Sequence, residues 1–363
     1  DSSWHGSNIA GLIAARTDNG IGVAAMNWHG RIVPVRVAGK CGAEVADIVD
    51  GMRWAVGLAV CKVSDGLGGC TEFVPANANP ARIVNISFGG DAACNGAYQD
   101  AIDELRAAPF AGGAVGAVVV AAAGNDWAAP SRPANCQRVL GVAALNRDGF
   151  KTNYSSFGAA LALASVGGDD NDGAWGRALG SNSLADSGIL SIGNGAATVP
   201  ADCTQAGANC YYRHFGTSFS APIVAGAVSL MLSVNPVLTV NQIEQGLARS
   251  ARPHVTSGVA GFNVCSNDNP GRCLCTTTTC GAGILDVEQA LLFAASPATY
   301  VAPAAQAVQI DTPELRVAVA SGPDRPANPT PPPPPPPAGG GGVMSGAWLL
   351  ALALAAWVVR RRV

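Results

Sequence analysis

The sequence predicts an α/β fold, a mainly parallel sheet with helices on both faces, and three observations carry that prediction. Short runs rich in β-branched and small residues alternate with longer helical ones, the pattern of strand-helix crossover units. The strand-like runs stop at glycine or Gly-Asn, where the loops of such sheets begin. The segment ahead of the proline-rich tail is long enough to bury a sizeable core as one large domain.

The elements follow in order. His5 to Gly11 opens an apolar stretch of helical character. Ile32 to Val37 reads as a strand and Ala46 to Ala59 as the helix after it. Ile83 to Ser87 is the next strand, and its closing glycines, Gly89 and Gly90, leave room for another backbone to approach. Ala97 to Ala107 is helical, Val118 to Ala123 is a small-residue strand halted by Gly124-Asn125, and Val139 to Ala144 is a further strand. From Gly167 to Asn209 periodicity fades, and the acidic cluster Asp169, Asp170 and Asp172 lies in what reads as one long surface excursion, or two. Pro222 suits the first turn of a helix, and Ile223 to Leu232 is nearly all apolar or glycine, a buried helix ending near Asn235-Pro236.

Chemistry enters with Ser218, in the run Phe215-Gly216-Thr217-Ser218-Phe219-Ser220-Ala221-Pro222, and with His5, in His5-Gly6-Ser7-Asn8. A serine hydroxyl is a poor nucleophile at neutral pH and needs an imidazole to take its proton, so a Ser motif and a His motif at two helix starts suggest a catalytic pair. Each motif alone is also ordinary turn or cap chemistry. Ser218 stands where a strand-like approach becomes a buried helix, beside free N–H groups and the positive end of a helix dipole. Asn125, at a strand end, is placed to donate its amide to a tetrahedral oxyanion with the Ser218 N–H as second donor, the alternative being a turn-forming Asn. Ser87 and Asn125 fall at the carboxyl ends of strands, where sites in such folds gather.

Taken together, these segments resemble the subtilisin-like serine proteases over roughly residues 1 to 295. His5-Gly6-Ser7 is similar to the family's His motif, Ser87-Phe88-Gly89 to its substrate strand, Gly124-Asn125 to its oxyanion Asn, and Gly216-Thr217-Ser218 with Ala221-Pro222 to its nucleophile motif. The resemblance implies a serine endopeptidase in which Ser218 attacks, His5 is base and then acid, and Asn125 holds the oxyanion. Ser87, Phe88 and Gly89 on one side, with Ala122, Ala123 and Gly124 on the other, would line the cleft that pairs with substrate by strand addition. Asp126, next to Asn125, would favour a basic residue there.

Family order places the acid before the His. Asp1 alone precedes His5, and it lacks the Asp-Thr/Ser-Gly setting, so the expectation is a chain shortened at its N-terminus and nearly inactive until an upstream segment supplies the Asp. Asn8 replaces the second His of the usual motif, and Ser165-Val166-Gly167 stands where Ala-Pro-Gly is frequent. His29, His214 and His254 read as surface or structural residues. No metal ligand set and no required cofactor emerge, although structural calcium is weighed for the acidic cluster and for Arg16 to Gly22, against a solvated loop in the first case.

A formal net charge of −3 with few charged residues offers no basic face for nucleic acid. The 11 cysteines lack zinc spacing and imply an oxidising compartment. Short loops suit Cys61–Cys70, Cys203–Cys210 and Cys275–Cys280, Cys94–Cys136 resembles a bridge of related secreted proteases, and Cys265 and Cys273 would then pair. Cys41 is left over, with a partner expected upstream.

The domains expected are a catalytic one over 1–298, an extended Pro/Gly-rich linker over 299–342, and a transmembrane sorting segment over 343–363. Pro331 to Pro337 is an extended spacer, and Val343 to Val359 lies at the short edge of the roughly 17 to 25 residues that span a bilayer. Arg360 to Arg362 would stay cytoplasmic. The tail resembles glycine-rich sorting signals of Gram-negative secreted proteins, which implies a membrane contact, an intramembrane sorting protease as partner, and a monomer that is secreted or held at the cell surface. Two rivals are a surface-anchored binding protein that keeps the fold without turnover, and an esterase, for which the G-x-S-x-G elbow is lacking.

Overall fold

The structure is a computed structural model that describes residues 3–39, 42–170, 173–177, 184–196, 198–200, 202–203 and 210–324. The chain divides into one compact unit over 1–326 and a second from residue 327 onward, which lies outside the described residues. Outside them too are Asp1, Cys41, Asp172, the proline run 331–337 and the apolar segment 343–359 with its arginines.

In chain order come α1 (His5–Ala14), α2 (Val45–Ala55), β1 (Cys61–Ser64), β2 (Cys70–Phe73), β3 (Ile83–Ile86), α3 (Gly96–Ala107), β4 (Val118–Ala122), β5 (Leu140–Leu145), β6 (Leu163–Val166) and α4 (Ala174–Arg177). Then follow β7 (Ile189–Ile192), β8 (Tyr211–His214), α5 (Thr217–Val234), α6 (Val240–Ser250), α7 (Val287–Ala295) and α8 (Pro313–Ala320). The central sheet is parallel, in the order β3-β4-β5-β6, with Ile83 opposite Val118, Val120 opposite Leu140 and Val142 opposite Leu163.

Every residue of β4 and β5 is buried, as a strand covered on both faces must be. Alternation sorts the side chains. Val118, Val120 and Ala122 join Val224, Val228 and Met231 of α5 with Ile243 and Leu247 of α6. Val119 and Ala121 join Met52 of α2 with Ile102 and Leu105 of α3. Burying a side chain the size of Ile102 or Leu105 contributes about 1.5–3 kcal/mol, so the two faces together hold the sheet.

Capping explains several boundaries. Asn95 accepts from Tyr98 N–H at the start of α3, Thr239 and Gln242 close a capping box on α6, and Thr312 caps α8 ahead of Pro313. α2 stops at Ala55, short of the expected Ala59, because Gly57 takes φ +87° and its N–H and that of Leu58 return to Trp54 and Arg53 carbonyls. Ile32 to Val37 forms no strand. Val35 and Val37 sit against α2, where they leave no room for a side chain at Gly51, but the segment joins no ladder among the described residues.

α5 begins at Thr217, so Pro222 lies in its second turn and not the first. The helix starts early because Thr217 N–H finds a tertiary acceptor, the Asn125 side chain. α5 is long and apolar enough to cross a membrane by length and composition, but most of it is buried as a core helix.

The region after Gly167 is not a solvated excursion throughout. Asp169 is buried, and β7 and β8 pair antiparallel with Ile189 opposite His214. The folded body also continues past residue 298: Leu315 and Ala318 of α8 pack with Phe150, Trp175 and Phe262, and Asp324 is buried. Among the described residues five disulfides form, Cys61–Cys70, Cys94–Cys136, Cys203–Cys210, Cys265–Cys273 and Cys275–Cys280, the pairs expected from sequence.

Candidate active site

Two helix N-termini converge. His5 is the first residue of α1 and Ser218 the second of α5, and Ile9 and Leu12 of α1 pack against Phe219 of α5. The His5 ring meets the Phe219 ring edge to face, with centroids 5.9 Å apart. Asn8 is buried where the family pattern has a His. With its amide nitrogen turned to the available acceptors, it donates to Trp4 O (3.1 Å) and Ile192 O (3.0 Å), pinning the start of α1 and therefore His5 to β7.

Ser218 Oγ donates to Ser87 O at 2.8 Å, at the carboxyl end of β3. Its hydrogen bond goes to this carbonyl and not to the imidazole that the sequence pairs with it. Asn125 Oδ1 accepts from Thr217 N (3.0 Å) and Thr217 Oγ1 (2.9 Å), so the amide orientation is fixed and Nδ2 is turned outward beside Gly216. Gly216 has φ +141°, a backbone that favours glycine, directly before Thr217 and Ser218. Ser218 N–H is one of the first-turn donors that α5 leaves without an intrahelical partner. These donors make an anion-accepting corner next to the serine oxygen.

The residues read as cleft walls fall on two sides of this corner. Phe88 is 37% exposed, and a side chain at Gly89 would collide with Arg132 O. Gly90 N–H bonds that same carbonyl at 3.1 Å. On the other side Ala122 and Ala123 are buried, and Ala123 O accepts from Ser131 N–H at 3.3 Å. Gly124, at φ +110°, is half-buried, and Ser156 Oγ, Ser131 Oγ and Asp126 Oδ2 surround the place where its Cβ would be. Asp126 is exposed there.

His214, which the sequence suggests is a surface or structural residue, packs next to His5's neighbour Phe219. It stacks on Phe219 with centroids 4.8 Å apart and planes 4° from parallel, so Phe219 has one imidazole at its face and the other in edge contact. Burial lowers the His5 pKa below the usual 6.5 and the positive charge of a protonated His214 lowers it further; burial also lowers His214. His254 is structural, with Nε2 on Gly281 O at 3.0 Å, and His29 is exposed. Among the described residues no carboxylate hydrogen-bonds His5.

Of the acidic cluster, Asp172 lies outside the described residues and Asp169 is engaged within the protein. Both oxygens of Asp169 are taken by Arg272, at 2.7 Å to Nε and 3.0 Å to Nη2. Burial pushes this carboxyl up to about 7 against the pull of Arg272. In the Arg16 to Gly22 loop, Asn19 Oδ1 accepts from Ile21 N–H and Thr17 Oγ1 from Ala25 N–H, so two of its side-chain oxygens already serve the backbone.

Fold and site together define an α/β domain with a serine at the start of its central helix and an anion-accepting corner beside it. Residues 1–277 match the subtilase family model (peptidase S8), and the chain belongs to that family. It is 38% identical over 274 residues to an extracellular protease of Xanthomonas campestris pv. campestris, covering 74% of this chain and 40% of that one. It is 35% identical over 257 residues to an extracellular basic protease of Dichelobacter nodosus, covering 69% of this chain and 35% of the relative. The chain thus spans about 40% or less of the length of these two relatives. Among solved structures, a protease of Pseudoalteromonas arctica PAMC 21717 superposes with a TM-score of 0.62 at 34% identity, covering 81% of this chain and 72% of that one.

Proposed function

We propose that this chain carries the catalytic machinery of an exported serine endopeptidase that cleaves peptide bonds through an acyl-enzyme. The observation that carries the reading is the fixed Asn125 amide, locked by Thr217 so that its NH2 group stands beside the helix start that bears Ser218. Rotation of the Ser218 side chain from Ser87 O toward His5 would bring nucleophile and base together, and such hydrogen bonds commonly tighten only when substrate is bound.

Ser218 Oγ then adds to the scissile carbonyl while His5 takes its proton, and His5 returns that proton to the leaving amine. Asn125 Nδ2 and Ser218 N–H hold the oxyanion. Water, deprotonated by His5, hydrolyses the ester. An aspartate outside the described residues would fix the His5 tautomer, and no metal or cofactor takes part.

An extended substrate would pair along Ser87 to Gly89, with its primary side chain entering between that segment and Gly124. Asp126 at this mouth favours Arg or Lys there, which peptide series differing only at that position will rank. The extracellular names of the Xanthomonas and Dichelobacter relatives and the five disulfides support export. Anchoring or sorting through 343–363 belongs to the same proposal, as does a monomeric state.

The rival is a surface-anchored binder without turnover. Incubating the full-length protein with a fluorophosphonate and with casein separates them: the peptidase reading expects covalent labelling and casein digestion, both lost in Ser218→Ala. A folded protein that neither labels nor digests casein is the binder.

A further inference from the structure

Tyr154 stands where three segments meet. Its buried phenol oxygen lies 3.0 Å from Gly167 O and 2.5 Å from Gly168 O, and it accepts from Gly216 N–H at 2.8 Å, an amide that it shares with Gly167 O at 3.1 Å. A phenol has one proton, so it donates to one of those carbonyls while a lone pair receives the amide. Gly216 O is engaged by Phe219 N–H at 2.9 Å, so the residue with the φ +141° backbone is held at both ends, two positions before Ser218.

What surrounds Tyr154 is built to hold it still. Lys151 is wholly buried, and its Nζ donates to Thr152 O (2.9 Å), Asn153 O (3.3 Å) and Ser155 O (2.9 Å), gathering the backbone on either side of Tyr154 around one ammonium. On the other side, the Gly167-Gly168 acceptors run directly into Asp169, which is locked to the buried Arg272, itself bonded to Asp324 at 3.0 Å. Asp324 Oδ1 also receives Trp175 N–H at 3.1 Å. Gly167 packs so closely on this region that an added Cβ would meet Ser220 Oγ at 2.5 Å, inside α5.

We propose that Tyr154 is a positioning residue for Ser218, its phenol oxygen fixing Gly216 and so the entry of the chain into α5. The Lys151 cluster fixes the ring, and the Asp169–Arg272–Asp324 cluster fixes its acceptors. Asp324 lies beyond the residues that match the family model, so part of the support for the nucleophile comes from the C-terminal segment.

The proposal rests on Ser218 being the nucleophile. Tyr154→Phe keeps the ring and removes only the oxygen. In the full-length enzyme, at a temperature where both proteins are folded, kcat is expected to fall about 10–100-fold with KM within about twofold, because a misplaced nucleophile costs turnover and not binding. The rate of fluorophosphonate labelling at Ser218 should fall in step. Unchanged kcat and labelling would overturn the proposal, as would a loss of thermal stability with normal kcat in the folded protein, which marks a purely structural hydroxyl. If the parent enzyme itself does not label at Ser218, the nucleophile reading has failed and the positioning role falls with it.

Discussion

Asn125 and Thr217 are locked together, Oδ1 of the amide accepting from both the backbone N–H and the hydroxyl of Thr217 at 3.0 and 2.9 Å. One residue lies in the loop that follows β4 and the other begins α5, so this pair joins the sheet to the helix that carries Ser218. It also decides which end of the amide faces outward.

Asn125→Asp keeps the acceptor for Thr217 but replaces the outward NH2 with oxygen. It should lower kcat about 100–1000-fold, the loss typical of removing one oxyanion donor, with little change in KM. Thr217→Val removes one of the two bonds that orient the amide and should cost less. Steady-state kinetics on a chromogenic peptide will rank the two variants.

The pH profile follows from His5. Burial and His214 both lower its pKa below 6.5, and in the proposed mechanism the neutral imidazole is the base. Activity should therefore be lost as pH falls through the His5 pKa. His214→Gln removes the neighbouring positive charge, so the acid limb of kcat/KM should move to higher pH. A limb that stays in place or moves to lower pH contradicts the coupling.

How much of this was legible beforehand depends on whether the signal was local. β4 and β5 were readable to within a residue, since their β-branched and small side chains fill both faces of a covered sheet and glycines punctuate them. The residues His5, Ser87, Asn125 and Ser218 stood at helix starts and strand ends, where their chemistry shows in sequence. Tyr154 and His214 did not, because each acts through residues distant in sequence, Gly216 and His5. The burial of Asp169 was hidden for the same reason: its partner Arg272 arrives from the far end of the domain and makes an acidic surface cluster into a paired core residue. Ile32 to Val37 shows the reverse error, a strand-like composition that joins no ladder among the described residues.

The C-terminal segment should contribute to stability. Asp324→Ala leaves one side of the buried Arg272 without its carboxylate and should cost about 3–5 kcal/mol, the range for breaking a buried pair. Denaturant titration of the full-length protein measures it, and a loss under about 1 kcal/mol would mean that the segment is dispensable.

Among the disulfides, Cys94–Cys136 closes the longest loop, with a sequence separation of 42 against 9 for Cys61–Cys70. Loop-closure entropy gives about 4 kcal/mol for the first and about 2.6 for the second. Replacing each pair by serine should reproduce that order in denaturation midpoints.

The most direct test is to map the residue that a fluorophosphonate modifies in the full-length protein, by mass spectrometry of its peptides. The adduct should lie on Ser218 and should form far more slowly in His5→Ala. A folded protein that stays unmodified, or one modified at another serine, contradicts the assignment of Ser218 and His5 as nucleophile and base.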